Sequence, residues 1–201
     1  MTSATASPRL PAQGSLGNVM QVRPLKLEGA YEIILTPQTD ERGYFMRVYD
    51  ADIFGRHGLV DSWVQENQSF SVRKGIIRGL HFQRPPYSET KLVRAVRGMA
   101  YDVFVDLRRD SPTYGKWEAL ELSENRGNMA YIPKGFAHGF CTLCENVVML
   151  YKVDACYAPE FEDGLAWNDP ELGIQWPTSS PFLSPKDAAW PLLSTRTKPL
   201  L

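Results

Sequence analysis

Histidine, arginine and lysine lie close together in one apolar stretch of the chain. His81 falls within the sequence RGLHFQ, three residues after Arg78, and Lys91 follows ten residues later. Imidazole titrates near neutral pH, so His81 could act as a general base, and the two cations could hold a phosphate or an enolate oxygen. A hydrogen-bonded core or surface histidine fits the same local sequence, and both interpretations stay open on these residues alone.

Two other short polar stretches could do chemistry. His138 lies in IPKGFAHGF at 132–140, where a surface hairpin turn is as good an interpretation as a binding site. Tyr151 is polar within the otherwise apolar segment 147–153, and Tyr157 follows in YAPE. A buried tyrosine usually finds a hydrogen-bond partner, but Tyr151 could instead be a general acid inside a pocket.

The histidines and cysteines do not predict a metal site. Barrels of the cupin class commonly bind a metal through two histidines separated by one residue, and here the second position is Gln83. Cys141 and Cys144 form a single CxxC pair with no second pair to complete a zinc site. We expect these cysteines to be small apolar residues that flank a strand.

The elements that position these residues are predicted to be short strands. Residues 101–107 alternate, which predicts a half-buried strand with Asp102 and Asp106 on its second face. Residues 147–153 indicate a central strand, and 91–97 and 117–122 indicate two more, with turn residues between them. This pattern predicts an antiparallel sandwich or barrel, in a mainly β fold.

Helices are expected to be few and peripheral. Residues 50–57 fit one short helix that ends before Gly58. From Pro159 onward, prolines recur at intervals, so this part is expected to wrap the barrel as irregular chain with one short helix. Residues 1–20 are rich in Ser, Ala, Pro and Gly and predict a disordered leader, which leaves 21–201 as one domain.

Composition excludes several classes of protein. The 201 residues are 43% hydrophobic, enough for one core, and 22 Lys+Arg against 23 Asp+Glu give a net charge of -1. That balance argues against a nucleic-acid binder, and no apolar run is long enough to span a membrane. Three cysteines cannot all pair, which favours a reducing cytoplasm.

An ordered set of motifs lies between about Val22 and Asp187. The motifs are DERGYF at 40–45, VQENQS at 64–69, RGLHFQ at 78–83, KLVR at 91–94, VRG at 96–98, DV at 102–103, SPTYGKW at 111–117, IPKGFAHGF at 132–140, YAPE at 157–160, WNDP at 167–170 and LSPKD at 183–187. In this order they closely resemble the dTDP-4-dehydrorhamnose 3,5-epimerase (RmlC-type) family. The resemblance implies a cupin-like jelly-roll barrel and a homodimer whose N-terminal strand crosses to the partner. It also implies neither metal nor organic cofactor.

The resemblance implies a substrate and four catalytic residues. The substrates of the family are nucleotide-linked 4-keto-6-deoxyhexoses, in which the ketone acidifies the hydrogens at C3 and C5. By resemblance, His81 is the base and Asp187 orients its imidazole, as a carboxylate does in other His–Asp pairs. Lys91 would lie near the developing oxyanion, and Tyr151 would return a proton from the opposite face.

The same resemblance assigns the nucleotide end of the site. Two arginines would clamp the diphosphate, an aromatic ring would stack on the base, and Asp102 and His138 would support the catalytic network. The residues placed at this end are Arg42, Phe45, Gln65, Asn67, Arg78 and Tyr157.

Two positions depart from the family pattern. Arg47 stands where the family often has a glutamate, and an arginine can donate to cytosine but cannot accept the N3–H of thymine. This departure suggests a CDP-linked sugar as a rival to a dTDP-linked one. Gln68 stands where the family usually has histidine, which bears on the pose of the sugar.

Three functional hypotheses follow, in order of preference. The first is an epimerase of a nucleotide-linked 4-keto-6-deoxy sugar, in deoxysugar biosynthesis. The second is an epimerase that inverts only C3 or only C5, on a modified or CDP- or GDP-linked sugar. The third is a non-catalytic barrel that binds a sugar nucleotide, which is disfavoured because His81 and Tyr151 are both present.

Overall fold

Thirteen short strands form most of the regular structure in residues 19–195, the part of the chain that the computed structural model describes. Their lengths of three to eight residues agree with the close spacing of turn residues in the sequence. In chain order they are β1 (Met20–Pro24), β2 (Tyr31–Leu35), β3 (Gln38–Asp40), β4 (Gly43–Phe45), β5 (Gln65–Ser71), β6 (Ile77–Gln83), β7 (Lys91–Arg97), β8 (Met99–Asp106), β9 (Trp117–Ser123), β10 (Asn128–Ile132), β11 (Phe136–Thr142), β12 (Val147–Val153) and β13 (Glu162–Gly164).

Two antiparallel sheets face each other around the core. The first has the strand order β1-β2-β10-β7-β12-β5, and the second has the order β13-β6-β11-β8-β9. Val93 and Met149 of the first sheet share a buried cluster with Phe104 and Phe140 of the second. Strands distant in sequence are neighbours in each sheet, as in a jelly roll. The predicted mainly β, jelly-roll barrel is therefore confirmed.

The strand β8 is buried on both faces, so the prediction of a half-buried strand is wrong. Phe104 packs between the two sheets, while Val103 and Val105 pack against the C-terminal part of the chain, including Leu165 and Leu172. Alternation alone cannot show that a second layer will cover the polar-looking face. Asp102 on that face is fully buried, which requires a hydrogen-bond partner for it.

Two α-helices lie at the periphery, as expected. α1 (Ala51–Arg56) begins where the carboxylate of Asp50 accepts the backbone N–H of Ile53, and it ends one residue before the predicted limit. α2 (Pro185–Ala188) is capped by Ser184 and lies in the proline-rich C-terminal part. α2 carries Asp187 towards β6.

A close approach of two glycines brings β6 against β11. A Cβ atom on Gly79 would lie 2.6 Å from the Cα of Gly139, and Gly79 also has a φ of +122°, which side-chain-bearing residues rarely adopt. The register of the two strands shifts between His138 and Phe140, and it sets His138 opposite His81. Glycine at these positions therefore determines how closely the two histidine-bearing strands pack.

Other features of the chain can be compared with expectation. Cys141 lies inside β11 and is buried there rather than flanking a strand, and burial raises the pKa of its thiol to about 11. The predicted leader falls outside the described residues except for its last two positions, and Met20 already begins β1. No helix within residues 19–195 is long and apolar enough to cross a bilayer.

Candidate active site

A histidine and a carboxylate that are 106 positions apart in sequence form a close polar contact in the site. The Nε2 atom of His81, on β6, lies 2.5 Å from Oδ1 of Asp187, on α2. The Ser184 hydroxyl donates to the other carboxylate oxygen at 2.9 Å. Burial opposes ionisation of Asp187, but the interactions with His81, together with hydrogen bonds from Ser184 and from the backbone of Gly79, outweigh it and hold the pKa of Asp187 below its usual range. Since the carboxylate is ionised, Nε2 carries the proton and Nδ1 is free to accept one.

His81 lines a cavity of about 340 Å³ that lies between the two sheets, at one end of them. The cavity holds six residues that the sequence predicts for the site, and they come from both sheets. Its lining consists of Gln65, Asn67, His81, Phe82, Gln83, Glu89, Lys91, Tyr151, Val153, Tyr157 and Glu162.

The candidate base and the candidate acid lie on opposite walls of this cavity. His81 belongs to the sheet that contains β6, whereas Lys91 and Tyr151 belong to β7 and β12 of the other sheet. Those two strands are paired, with Tyr151 opposite Val93 and Val153 opposite Lys91. A planar group bound between the walls would present one face to the imidazole and the other to the phenol.

The ammonium of Lys91 is almost enclosed. Its side chain is 10% exposed, and Nζ lies 3.0 Å from Oε1 of Glu89, which is 12% exposed. Such an ion pair is costly to bury unless its remaining hydrogen-bonding capacity is used. The cation therefore faces the cavity with one carboxylate beside it and further N–H groups available to a ligand.

A second histidine–carboxylate pair lies behind the first. His138 Nε2, on β11, is 2.8 Å from Oδ1 of Asp102, on β8, and both side chains are buried. Oδ2 of Asp102 has no hydrogen-bond partner among the described residues. His138 lies opposite His81 in the strand pairing but does not line the cavity. This pair supports the wall that carries His81.

A hydrogen-bonded triad closes another side of the cavity. The Tyr157 hydroxyl donates to Oε2 of Glu162 at 2.6 Å, and this bond raises the pKa of Tyr157 to about 12. Lys186 Nζ lies 2.6 Å from Oε1 of the same carboxylate. Burial opposes ionisation of Glu162, but the bonds from Lys186 and Tyr157 hold its pKa below its usual range. The backbone N–H of Tyr157 also donates to Gln65 Oε1 at 2.5 Å.

Besides Asp102 and His138, four predicted binding residues do not line this cavity. Arg42 and Phe45 lie on the β3–β4 hairpin, where the Phe45 ring is 68% exposed and Arg42 pairs with Asp40 at 2.5 Å. Arg47 pairs with Asp50, the capping residue of α1, at 2.8 Å. Arg78 is exposed and donates to Ser71 Oγ and to the backbone oxygen of Phe70.

Three polar residues of the cavity were not predicted as site residues. Gln83 lies two positions after His81 on the same strand, a spacing that places both side chains on one face, but it was considered only as a missing metal ligand. Glu89 likewise lies two positions before Lys91. Glu162 begins β13, which pairs with β6 in a part of the chain that was expected to be irregular; a strand of three residues is too short for a periodic pattern to indicate it.

Within residues 19–195, no three His, Cys, Asp or Glu side chains are grouped so that they could hold a metal ion. His81, in the cavity, and His138, behind it, each have a carboxylate on one ring nitrogen, as general bases often do.

Comparisons with known proteins identify the family of the chain. A family model described as dTDP-4-dehydrorhamnose 3,5-epimerase matches residues 24–195. A dTDP-4-dehydrorhamnose 3,5-epimerase of Methanothermobacter thermautotrophicus is 46% identical over 169 residues, which is 82% of this chain and 89% of that protein. A dTDP-4-dehydrorhamnose 3-epimerase of Streptomyces niveus is 42% identical over 169 residues, which is 84% of this chain and 81% of that protein.

A solved structure is similar throughout. The crystal structure of dTDP-4-dehydrorhamnose 3,5-epimerase from Bacillus anthracis with TDP and PPi bound superimposes with a TM-score of 0.85 at 44% sequence identity. The likeness covers 87% of this chain and 99% of that chain. From its sequence and its fold, the chain belongs to the dTDP-4-dehydrorhamnose 3,5-epimerase family.

Proposed function

We propose that this protein is an epimerase that acts on a dTDP-linked 4-keto-6-deoxyhexose and inverts it at C3 and C5. The observation that carries the proposal is the His81–Asp187 pair, which faces Tyr151 and Lys91 across one cavity. A ketone acidifies the hydrogens on its neighbouring carbons, so inversion needs a base on one face and an acid on the other. The cavity provides both, together with a cation for the intermediate charge.

The proton transfers balance without any cofactor. Nδ1 of His81 takes the proton from the carbon next to the ketone, and the electron pair of the broken C–H bond moves to the ketone oxygen as an enolate. Asp187 stabilises the resulting imidazolium through Nε2–H. The Lys91 ammonium stabilises the enolate oxygen. Tyr151 then donates its hydroxyl proton to the opposite face of the carbon as the electron pair of the enolate returns to it, which inverts the centre and restores the ketone. Water takes the proton from His81 and returns one to Tyr151 before the next abstraction.

The nucleotide is expected to bind beside Gln65, Asn67 and Tyr157. These residues line the cavity and offer amide and phenol groups to a diphosphate or a base. Several relatives carry dTDP in their names, and no observation on Arg47 favours cytosine, because its guanidinium is paired with Asp50. We therefore prefer a dTDP-sugar to a CDP-sugar.

A second copy of the chain is proposed to complete the site. Arg42 and Phe45 project on the β3–β4 hairpin with no contact to the cavity of their own chain, although they suit a diphosphate and a base. The strand β1, expected to cross to a partner, pairs with β2 of the same chain. In the proposed homodimer, the β3–β4 hairpin reaches the site of the partner in addition to β1. The three unpaired cysteines accord with a cytoplasmic location.

Mixing two inactive variants tests the shared site. Arg42→Ala and His81→Ala are each expected to be inactive, but in a heterodimer one site would receive His81 from one chain and Arg42 from the other. After unfolding and refolding an equal mixture, random pairing would restore about a quarter of the wild-type activity. No recovery, with a dimer present by light scattering, would place Arg42 in its own chain's site or outside the site.

A single-carbon epimerase is the second candidate. The Streptomyces niveus relative, at 42% identity, is named as a 3-epimerase, so the scaffold accommodates inversion at one carbon. Product analysis distinguishes the two candidates: proton NMR of the sugar ring shows which centres have inverted, and the His81→Ala variant, at equal folded concentration, should give no inverted product. Full conversion by His81→Ala would refute the proposed base.

A further inference from the structure

The carboxylate beside Lys91 is held from two sides within the cavity wall. Oε1 of Glu89 lies 3.0 Å from Lys91 Nζ, and Oε2 accepts a hydrogen bond from Gln83 Nε2 at 3.1 Å. Between the two charged residues, the backbone N–H of Thr90 donates to Asp154 Oδ1 at 2.7 Å. These contacts hold Glu89 and Lys91 in place. The two residues are two positions apart in the sequence, a spacing that places both side chains on the same face of an extended chain.

The amide of Gln83 has only one orientation that satisfies its neighbours. The backbone N–H of Ala158 lies 2.7 Å from Oε1, and because that group can only donate, this atom must be the amide oxygen. Nε2 then faces three acceptors: Glu89, the backbone oxygen of Tyr87 at 3.0 Å and that of Cys156 at 3.2 Å. Gln83 is 3% exposed, so no solvent replaces these bonds.

We propose that Glu89 is a positioning residue for Lys91, and that Gln83 holds the Glu89 carboxylate in place. The inference rests on the proposed function, in which the Lys91 ammonium meets the enolate oxygen. A lysine side chain has four rotatable bonds and loses that freedom when it must aim at one atom. Glu89 holds the ammonium in place before the substrate binds, so the entropy that the lysine side chain loses does not add to the activation free energy.

Gln83 also links this cation to the nucleotide end of the cavity. The same amide that orients Glu89 accepts the N–H of Ala158, next to Tyr157. One buried side chain therefore sets the relative positions of the lysine and of the loop that carries Tyr157. A change at Gln83 should disturb both ends of the site, whereas a change at Glu89 should disturb only the lysine.

A double-mutant cycle tests the proposal. Glu89→Gln keeps the size of the side chain and removes its charge, and it should lower kcat by on the order of 10- to 100-fold with KM little changed. Lys91→Ala should cost at least as much. The Glu89→Gln, Lys91→Ala double variant should be no slower than Lys91→Ala alone, because a positioning residue has no effect without the residue that it positions. Glu89→Asp should restore part of the lost rate.

Glu66 provides the matched control. It forms an ion pair with Lys152 at 2.9 Å on neighbouring strands, and neither residue lines the cavity. Glu66→Gln should leave kcat within about twofold of wild type. Losses at Glu89 and Lys91 that multiply in the double variant would overturn the proposal, since Glu89 would then act independently of Lys91.

A measurement without substrate separates this inference from the proposed function. The Nζ ammonium of an anchored, shielded lysine gives an observable proton–nitrogen NMR signal, whereas a freely hydrated one exchanges too fast. We expect a Lys91 signal in wild type and in Glu66→Gln, and its loss in Glu89→Gln. An identical signal in Glu89→Gln would overturn the anchoring, whether or not the protein proves to be an epimerase. Absence of turnover on every nucleotide sugar would refute the proposed function alone.

Discussion

Substituting Asp187 by asparagine isolates the charge that the proposed mechanism requires. An asparagine in the same rotamer can still accept from His81 Nε2–H through its oxygen, and its NH₂ group can donate to Ser184 Oγ. The backbone N–H of residue 187 remains bonded to Ser184 Oγ at 3.0 Å, so the cap of α2 is retained. The variant should therefore fold normally and lack only the negative charge beside the imidazole.

The magnitude follows from the contact. A hydrogen bond to a charged group contributes a net free energy of about 1.5–3 kcal/mol, and here the carboxylate is 5% exposed. That stabilisation develops when His81 becomes an imidazolium, so it belongs to the transition state and affects kcat. By transition-state theory, Asp187→Asn should slow turnover roughly 10- to 150-fold.

The assay is the initial rate of solvent deuterium uptake into the sugar, measured at saturating substrate alongside thermal unfolding. Asp169→Asn is the control, because Asp169 is equally buried, accepts three backbone N–H groups and lies outside the cavity. It should lower the stability of the protein while leaving kcat of the folded fraction near that of wild type. An Asp187→Asn rate within about twofold of wild type would refute the role of the carboxylate.

Three further predictions concern Tyr151 as the acid, the nucleotide base of the substrate and the stability of the fold. Tyr151→Phe should slow inversion much more than deuterium exchange, and equal turnover with wild type would exclude Tyr151 as the acid. By calorimetry dTDP should bind more tightly than CDP, and the reverse order would restore the argument from Arg47. Hydrogen bonds from Arg108, Ser111 and Thr113 outweigh burial and lower the pKa of Asp106. The ionised carboxylate therefore stabilises the folded state fully above the pKa that Asp106 has in the unfolded chain. This stabilisation is lost as the pH falls through the pKa that Asp106 has in the folded state. Asp106→Asn should cost about 1.5–3 kcal/mol in urea unfolding at pH 7, and the gap should narrow towards pH 3; a constant gap would contradict this.

Local patterns were sufficient for β7, β8, β9 and β12 and for α1, but they did not define the remaining strands. Residues 147–153 are apolar except for Tyr151 and Lys152 and form β12, between β7 and β5, as a central strand should be. The alternation at 101–107 also predicted a strand, but its second face was wrongly assigned to solvent. The facing sheet covers that face. This contact joins segments that are distant in sequence, so the periodicity of residues 101–107 cannot predict it.

The candidate site shows the same limit. His81 and Asp187 could be paired only through the resemblance, because no local pattern relates residues 106 positions apart. Glu89 could have been noticed from its spacing to Lys91, but its contact with Gln83 depends on the path of the loop between β6 and β7. Arg42 could be predicted as a diphosphate ligand by type, but not the chain whose cavity it would serve.

Solvent deuterium incorporation into dTDP-4-keto-6-deoxyglucose is the most direct test of the central claim. The wild-type protein is incubated with this sugar in D₂O, and mass and proton NMR signals at C3 and C5 are followed. The account predicts exchange at both carbons, with inversion at each. Exchange at one carbon alone would contradict two-centre epimerisation, and no exchange at either carbon would contradict the assignment of His81 as the base.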